Sequence, residues 1–146
     1  GLFEPKLLTS TKLRYPFDQQ SKLTDGFGYR SAPVAGFHNA QDFDAGNGAS
    51  IRIIGDGIVV KSTFNDWCGF GLQVQHKVDG DEVSSLYCHM QTGSHSYEVG
   101  DRVKAGDEAG RVGDTGQSFG AHLHLVLRVN GEPVDPLPYI SANSAG

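Results

Sequence analysis

The chain has 146 residues, 38% of them hydrophobic and 20% charged, with a formal net charge of −5. That length holds one domain with a substantial core and is short for two. The acidic balance leaves no basic footprint for nucleic acid and no polybasic patch for a membrane surface, and no apolar run approaches a membrane-spanning length.

Residues 1–20 read as a lead-in, because Pro5, Pro16 and the polar Thr9-Ser10-Thr11 break any long period. No charged-then-apolar pattern with a small-residue cleavage site precedes them, so no signal peptide is legible; a mature form and a piece of a larger protein both fit. Gly26-Phe27-Gly28-Tyr29-Arg30 opens the compact part. Ile51 to Val60 is rich in β-branched residues, with Gly55-Asp56-Gly57 as a turn or bulge between two short strands. Leu72, Val74, His76 and Val78 alternate with Gln73, Gln75 and Lys77, the pattern of a half-buried strand. Asp79-Gly80 is a strong hairpin dipeptide, and Val83 to Met90 reads as the returning strand. Further turns fall at Val99-Gly100-Asp101, Gly106-Asp107 and Asn130-Gly131, and Ser141 to Gly146 is linker-like. The 20 glycines are scattered through such turn contexts without a repeat. No helical period is sustained beyond about two or three turns. The expectation is a mainly β, antiparallel domain.

Two cysteines, Cys68 and Cys88, are too few for a disulfide framework. They can form one bridge in an oxidising compartment or remain two partly buried thiols. Neither has a Cys or His at the spacing of a structural zinc site, apart from the adjacent His89.

The residues most suited to chemistry are histidines. In Gly120-Ala121-His122-Leu123-His124-Leu125 the strand alternates, with Leu123, Leu125, Leu127 and Val129 on one side and His122, His124, Val126 and Arg128 on the other. Side chains two apart share a face, so the leucines can bury while both imidazoles project together. Upstream, His38-Asn39-Ala40-Gln41-Asp42 places an imidazole and a carboxylate four residues apart, within reach of one ion. His38, Asp42 and one of the strand histidines would make three N/O ligands with a fourth position open, the pattern of catalytic zinc. Each short motif also occurs by chance, and His122 and His124 could equally form a polar face turned to solvent. Asp44 competes with Asp42 but is spaced less well from His38. His76 reads as a satisfied structural histidine and His95 as a solvated loop residue.

Taken together, these motifs resemble the lysostaphin/LytM family of zinc metalloendopeptidases, which cut peptide cross-links in bacterial peptidoglycan. The likeness runs from about Gly26 to Ile140. Gly-Phe-Gly-Tyr-Arg at 26–30 resembles the family's entry segment, and His38-x-x-x-Asp42-Phe43 its first metal motif. Gly69-Phe70-Gly71 running to Val74 and His76 resembles its glycine-started strand, and Tyr87-Cys88-His89-Met90 its Tyr-x-His-Leu element. Val99 to Asp107, then Gly113-x-Thr115-Gly116-x-Ser118-x-Gly120, lead into His122-Leu123-His124 as in the family, and Val134-Asp135-Pro136 resembles its closing segment. Ala40 stands where the family usually has Gly, Ala49-Ser50 where it has Thr-Pro or Asp-Pro, and Leu125-Val126 where it often has an acidic or polar residue.

The resemblance implies one Zn2+ held by His38, Asp42 and His124, with His89 and His122 as the catalytic pair. It gives Tyr29 a place in transition-state stabilisation, beside the plainer alternative of an aromatic packed on the Gly26 turn. It implies a single-domain, barrel- or sandwich-like antiparallel core with a substrate groove between loops, with residues 21–140 as the catalytic domain and 141–146 as a tail. The implied partner is a peptidoglycan stem peptide or cross-bridge, with neither nucleic acid nor membrane insertion involved. The chain is expected as a monomer or as part of a larger multidomain protein. The implied setting is extracellular, cell-wall, periplasmic or phage-borne. The alternative in a different class is an inactive LytM-like binding or regulatory module, which typically lacks several metal ligands. A D-Ala-D-Ala-type metallopeptidase would need a Glu shortly before its last histidine, and residues 114–124 contain none. A non-enzymatic β-sandwich carrier or sugar-binding module leaves the ordered motifs unexplained.

Overall fold

A computed structural model describes residues 8–30, 36–116, 118 and 120–144. Its centre is a meander of three long strands, β6 (Gly57–Asn65), β7 (Gly69–Val78) and β8 (Asp81–Met90). β11 (Leu123–Val129) lies on the far side of β8, followed by β4 (Gln41–Asp44) and β1 (Lys22–Leu23). β9 (Arg102–Val103) closes the other edge against β6, and β12 (Glu132–Val134) pairs with β11, completing an eight-stranded sheet. Two small antiparallel pairs stand outside it: β5 (Ser50–Arg52) with β10 (Glu108–Arg111), and β2 (Gly28–Arg30) with β3 (Gly36–His38). One short helix, α1 (Pro136–Ala142), follows. The mainly β, antiparallel expectation is met.

Local chemistry explains the hairpins. Asp79 and Gly80 have φ of 47° and 86°, and Asn130 and Gly131 of 51° and 88°. Both pairs take the left-handed backbone that a tight two-residue turn requires and that Asx-Gly tolerates best. The leucine side of β11 is fully buried, with Leu123, Leu125 and Leu127 at 0% exposure beside Phe43, Leu72, Val74 and Tyr87. Each such leucine contributes about 1.5–3 kcal/mol by leaving water. That burial fixes the register, because a slip of one residue would turn the leucines outward and the histidines inward.

The two ends of the chain differ from expectation. The lead-in reading of residues 1–20 does not describe residues 8–20, since Leu8, Leu13 and Phe17 are core residues and Phe17 packs with Tyr15 and Phe43. Their spacing follows neither a helical nor a strand period, because the segment crosses the core in irregular backbone. Likewise residues 141–144 are not a free linker. Ser141 and Ala142 complete α1, and the Leu13 amide donates to the Asn143 carbonyl at 2.9 Å.

Of the two alternatives for the cysteines, the structure has the bridge: Cys68 and Cys88 form a disulfide with Cα atoms 4.8 Å apart. Closing a loop of 20 residues restricts the unfolded chain by about 3 kcal/mol in the chain-entropy account.

His76 is a structural histidine, as expected. It is fully buried, donates from Nδ1 to the Asp56 carbonyl at 3.0 Å, and its Nε2 meets the Ser85 hydroxyl at 2.8 Å. Ser85 Oγ is in turn 2.9 Å from the Tyr87 hydroxyl, which accepts from the Ile54 amide. Burial pushes the His76 pKa down to about 4 from an ordinary 6.5. Between those values the unfolded chain takes up a proton that the folded one refuses, so stability is fully present above pH 6.5 and falls as pH drops towards 4. The loss amounts to about 3 kcal/mol at most. Urea denaturation at pH 7 and pH 4 should show this fall, and His76→Gln, though less stable at pH 7, should show a visibly shallower one.

Candidate metal centre

Three neighbouring strands build the site. β4 pairs with β11 so that Asp42 lies opposite His124, and β11 pairs with β8 so that His124 lies opposite Cys88. Directly opposed residues of an antiparallel pair share a face. The face opposite the buried leucines therefore gathers Asp42, from early in the chain, and His124, from late in it. His124 Nδ1 is 2.8 Å from Asp42 Oδ1, and His38 Nε2, at the end of β3, is 3.7 Å from the same oxygen. His122 Nε2, from the residue before β11, is 3.8 Å from Asp42 Oδ2. The His89 ring lies 4.8 Å from that of His122 and 5.6 Å from that of His124, centroid to centroid. His38, Asp42, His89 and His124 are buried, whereas His122 is partly open to solvent.

The backbone decides where the protons sit. A carbonyl oxygen can only accept, so a ring nitrogen facing one carries the hydrogen. His38 Nδ1 donates to Gly26 O at 2.9 Å, His89 Nδ1 to Thr115 O at 2.7 Å, and His122 Nδ1 to Gly120 O at 2.8 Å. In each neutral ring the Nε2 is left as a lone pair, and those of His38 and His122 face the Asp42 carboxylate. His124 Nε2 is buried with no hydrogen-bond partner among the described residues. Lone pairs and a carboxylate crowded together repel unless a cation lies among them, and imidazoles oriented by backbone carbonyls are the usual outer support of metal ligands. Donor atoms of His38, Asp42 and His124 lie within 4.8 Å of one another, and so do those of His89, His122 and His124. Imidazole and carboxylate without thiolate suit zinc. The residues present therefore fit a zinc ion.

His89 is set in an unusual backbone. Phe70 pairs with Met90 and Leu72 with Tyr87, so the single residue Gly71 faces both Cys88 and His89, a β-bulge. His89 has φ of +66°, a left-handed conformation that costs a non-glycine residue about 1–2 kcal/mol. Its N–H donates to Cys68 O at 2.7 Å and its carbonyl accepts from Gly113 at 3.0 Å. Thr115 completes the support: besides holding the ring, its hydroxyl donates to Met90 O at 2.6 Å and accepts the Phe70 N–H at 3.0 Å. Thr115 reaches this position because Gly69, with φ of +69°, lies against it where any Cβ would collide with the Thr115 backbone. Burial pushes the His89 pKa down to about 4, helped by the neighbouring His122 and His124 rings and opposed by the Thr115 carbonyl and Asp42. His89 is therefore neutral at pH 7.

The structure brings His38, Asp42, His89, His122 and His124 together and leaves other candidates aside. Asp44 is exposed and accepts the Gly46 amide at 3.2 Å, in a turn. Tyr29 lies on β2 with its backbone opposite Phe37, and its side chain is outside the described part of the structure. His95, expected as a solvated loop residue, is half-buried. It donates from Nε2 to Gly71 O at 3.1 Å, accepts the Tyr97 amide on Nδ1, and packs against Phe70 and Tyr97. The polar loop around it concealed a ring folded back onto β7. One neighbour had no signal in the sequence: Trp67, half exposed, stands edge-on to the His124 ring at 5.5 Å.

Comparison with known proteins agrees with this geometry. The chain is 33% identical over 127 residues to "Peptidoglycan DD-endopeptidase ShyC" of Vibrio cholerae, covering 85% of this chain and 28% of that one. Its fold matches a "zinc containing peptidase" from Vibrio cholerae with a TM-score of 0.73 and 28% identity, covering 86% of this chain and 39% of that one. It matches the catalytic domain of lysostaphin from Staphylococcus simulans with a TM-score of 0.72 and 29% identity, covering 83% of this chain and 92% of that domain. The chain spans little more than a quarter of the length of the curated relatives it matches. The strand order, the crowded imidazoles around one carboxylate and these likenesses converge: the chain belongs to Peptidase family M23, whose family model matches residues 36–136.

Proposed function

We propose that this chain is a zinc-dependent endopeptidase that hydrolyses peptide cross-links of bacterial peptidoglycan. The observation that carries the proposal is the convergence of histidine nitrogens on the Asp42 carboxylate, with three of the rings held in one tautomer by backbone carbonyls. His38, Asp42 and His124, all three buried, would hold the ion, and His89 and His122 would act beside it. The region of residues 21–140 would be the peptidase unit, with residues 8–20 packed on it as a structural cover. Relatives that act on the wall, and a disulfide that favours an oxidising setting, support a location outside the cytoplasm or on a phage.

When bound, zinc supplies Lewis-acid polarisation of the scissile carbonyl and makes water acidic enough to attack at neutral pH. The chain's own residues supply the proton traffic. His89 enters neutral, with its proton fixed on Nδ1 by Thr115, so its Nε2 can accept a proton from the attacking water. His122 is held in the same tautomer and sits at the open side of the cluster, where a substrate would arrive. As the peptide C–N bond breaks, a proton held on one of these rings passes to the leaving amine. Tyr29 would donate to the developing oxyanion. Ser118 Oγ lies 3.2 Å from His122 Nδ1, but that nitrogen carries the hydrogen donated to Gly120 O and is no base for it, and Cys68 and Cys88 are committed to each other, so a covalent acyl intermediate is not expected.

Purified walls of differing cross-bridge chemistry, digested and analysed by mass spectrometry, would test the activity and identify the bond. Removal of metal by a chelator should abolish release of peptide fragments, and stoichiometric zinc should restore it; release that is indifferent to the chelator would refute the proposal. His124→Ala should lose both zinc and activity. His122→Ala should keep about one zinc per chain while kcat falls by about 100-fold or more, the usual scale for a general acid or base. A zinc-loaded, fully active His122→Ala would remove that residue from the mechanism.

A further inference from the structure

We propose that the Cys68–Cys88 disulfide is a positioning device for His89, holding the bulge that aims this ring into the metal cluster. The proposal rests on the peptidase reading of that cluster. Cys88 directly precedes His89 and lies opposite His124, so the bond sits on the sheet face that carries the metal-type residues. Its other end, Cys68, belongs to the turn between β6 and β7, and the carbonyl of that residue takes the His89 amide at 2.7 Å. The turn is itself pinned, since Asn65 Oδ1 accepts the amides of both Trp67 and Cys68, at 2.9 and 2.7 Å. The sulfur bond and the Cys68 carbonyl thus grip residues 88 and 89 from one rigid turn.

The grip matters because the conformation it holds is one the backbone would otherwise leave. A bulge carries one surplus residue, and His89 is a non-glycine at φ of +66°. Regularising the strand would relieve that strain and turn His89 to the opposite face, since each residue of shift reverses a strand's side-chain directions. The ring's remaining anchor is the Thr115 carbonyl, which lies on a different segment. With both sulfurs buried and bonded to each other, the tether cannot rotate away. Trp67, on the same turn, packs edge-on against His124, so the tether also joins the two sides of the cluster.

The test uses the whole chain supplied with zinc. In the oxidised protein the His89 Nδ1–H bonded to Thr115 should give a downfield proton resonance, assigned by its loss in His89→Gln. Cys68→Ala/Cys88→Ala should keep one zinc per chain and a cooperative melt, lose that resonance, and cleave wall peptide with kcat reduced about 10- to 100-fold, the scale of a catalytic group misplaced by about 1 Å. KM should change much less. Should the double variant fail to fold, the wild type is reduced with a water-soluble phosphine. Phosphorus is oxidised to the phosphine oxide with oxygen from water, and the two hydrogens of that water end on the two thiols. Oxidised glutathione then re-forms the bond, releasing two reduced glutathiones, and must restore both resonance and rate. A folded, zinc-loaded protein without the bond that retains either the resonance or full kcat overturns the proposal. So does loss of zinc or of the fold on breaking the bond in both forms, which would make it a general staple. Wild type that fails to cleave any wall peptide defeats the proposed function, while the resonance still decides the positioning role.

Discussion

The site depends on one cross-strand meeting: Asp42 opposite His124, a carboxylate against an imidazole in a buried setting. Burying a carboxylate is costly unless it is compensated, and compensation here comes from His38, four residues upstream, and from His122 and His124 on a distant segment. β11 lies between β8 and β4, so a single strand carries the contact both to His89 and to the His38 side. The metal-type cluster therefore cannot assemble until these three strands are paired, and whatever cation it holds binds the folded chain in preference to the unfolded one. Metal binding and sheet formation are thus thermodynamically linked.

Around that meeting, backbone rather than side chains does most of the orienting. Gly26, Thr115 and Gly120 each give a carbonyl to one imidazole, so three ring tautomers are set by chain path alone. Two of the three acceptors are glycine carbonyls and the third belongs to a threonine whose side chain makes two further hydrogen bonds. Such support resists substitution of surface residues and is sensitive to changes of loop conformation.

Much of this was legible beforehand, and the reasons differ by element. The alternation from Leu123 to Val129 and the turns at Asp79-Gly80 and Asn130-Gly131 were readable because each depends only on near neighbours. The grouping of His38, Asp42, His89, His122 and His124 came from ordered motifs and not from any period, since the contacts span up to 86 residues, from His38 to His124. What stayed hidden depends on partners far away in the chain. Leu8, Leu13 and Phe17 have no regular spacing, and their burial follows from the cavity they close. The bulge at Cys88-His89 shows only against the register of β7, and no Gly or Asn marks the left-handed residue. His95 looked solvated because the loop around it is polar, yet its ring turns back onto Phe70 and Gly71. The pairing of the cysteines was open because spacing alone does not bring two thiols together.

The lengths of the strands carry one more consequence. The two ten-residue strands, β7 and β8, lie inside the sheet, whereas its margins are β1 and β9, of two residues each, and the three-residue β12, which contains Pro133 and so has one fewer amide to offer. Such short margins offer a neighbouring molecule little to template itself on, and the longer open stretch is the part of β6 beyond Ile58, where β9 no longer pairs with it. Copies that zip together through their margins would have to do so along that stretch, where the exposed Lys61 sets a charge against such pairing.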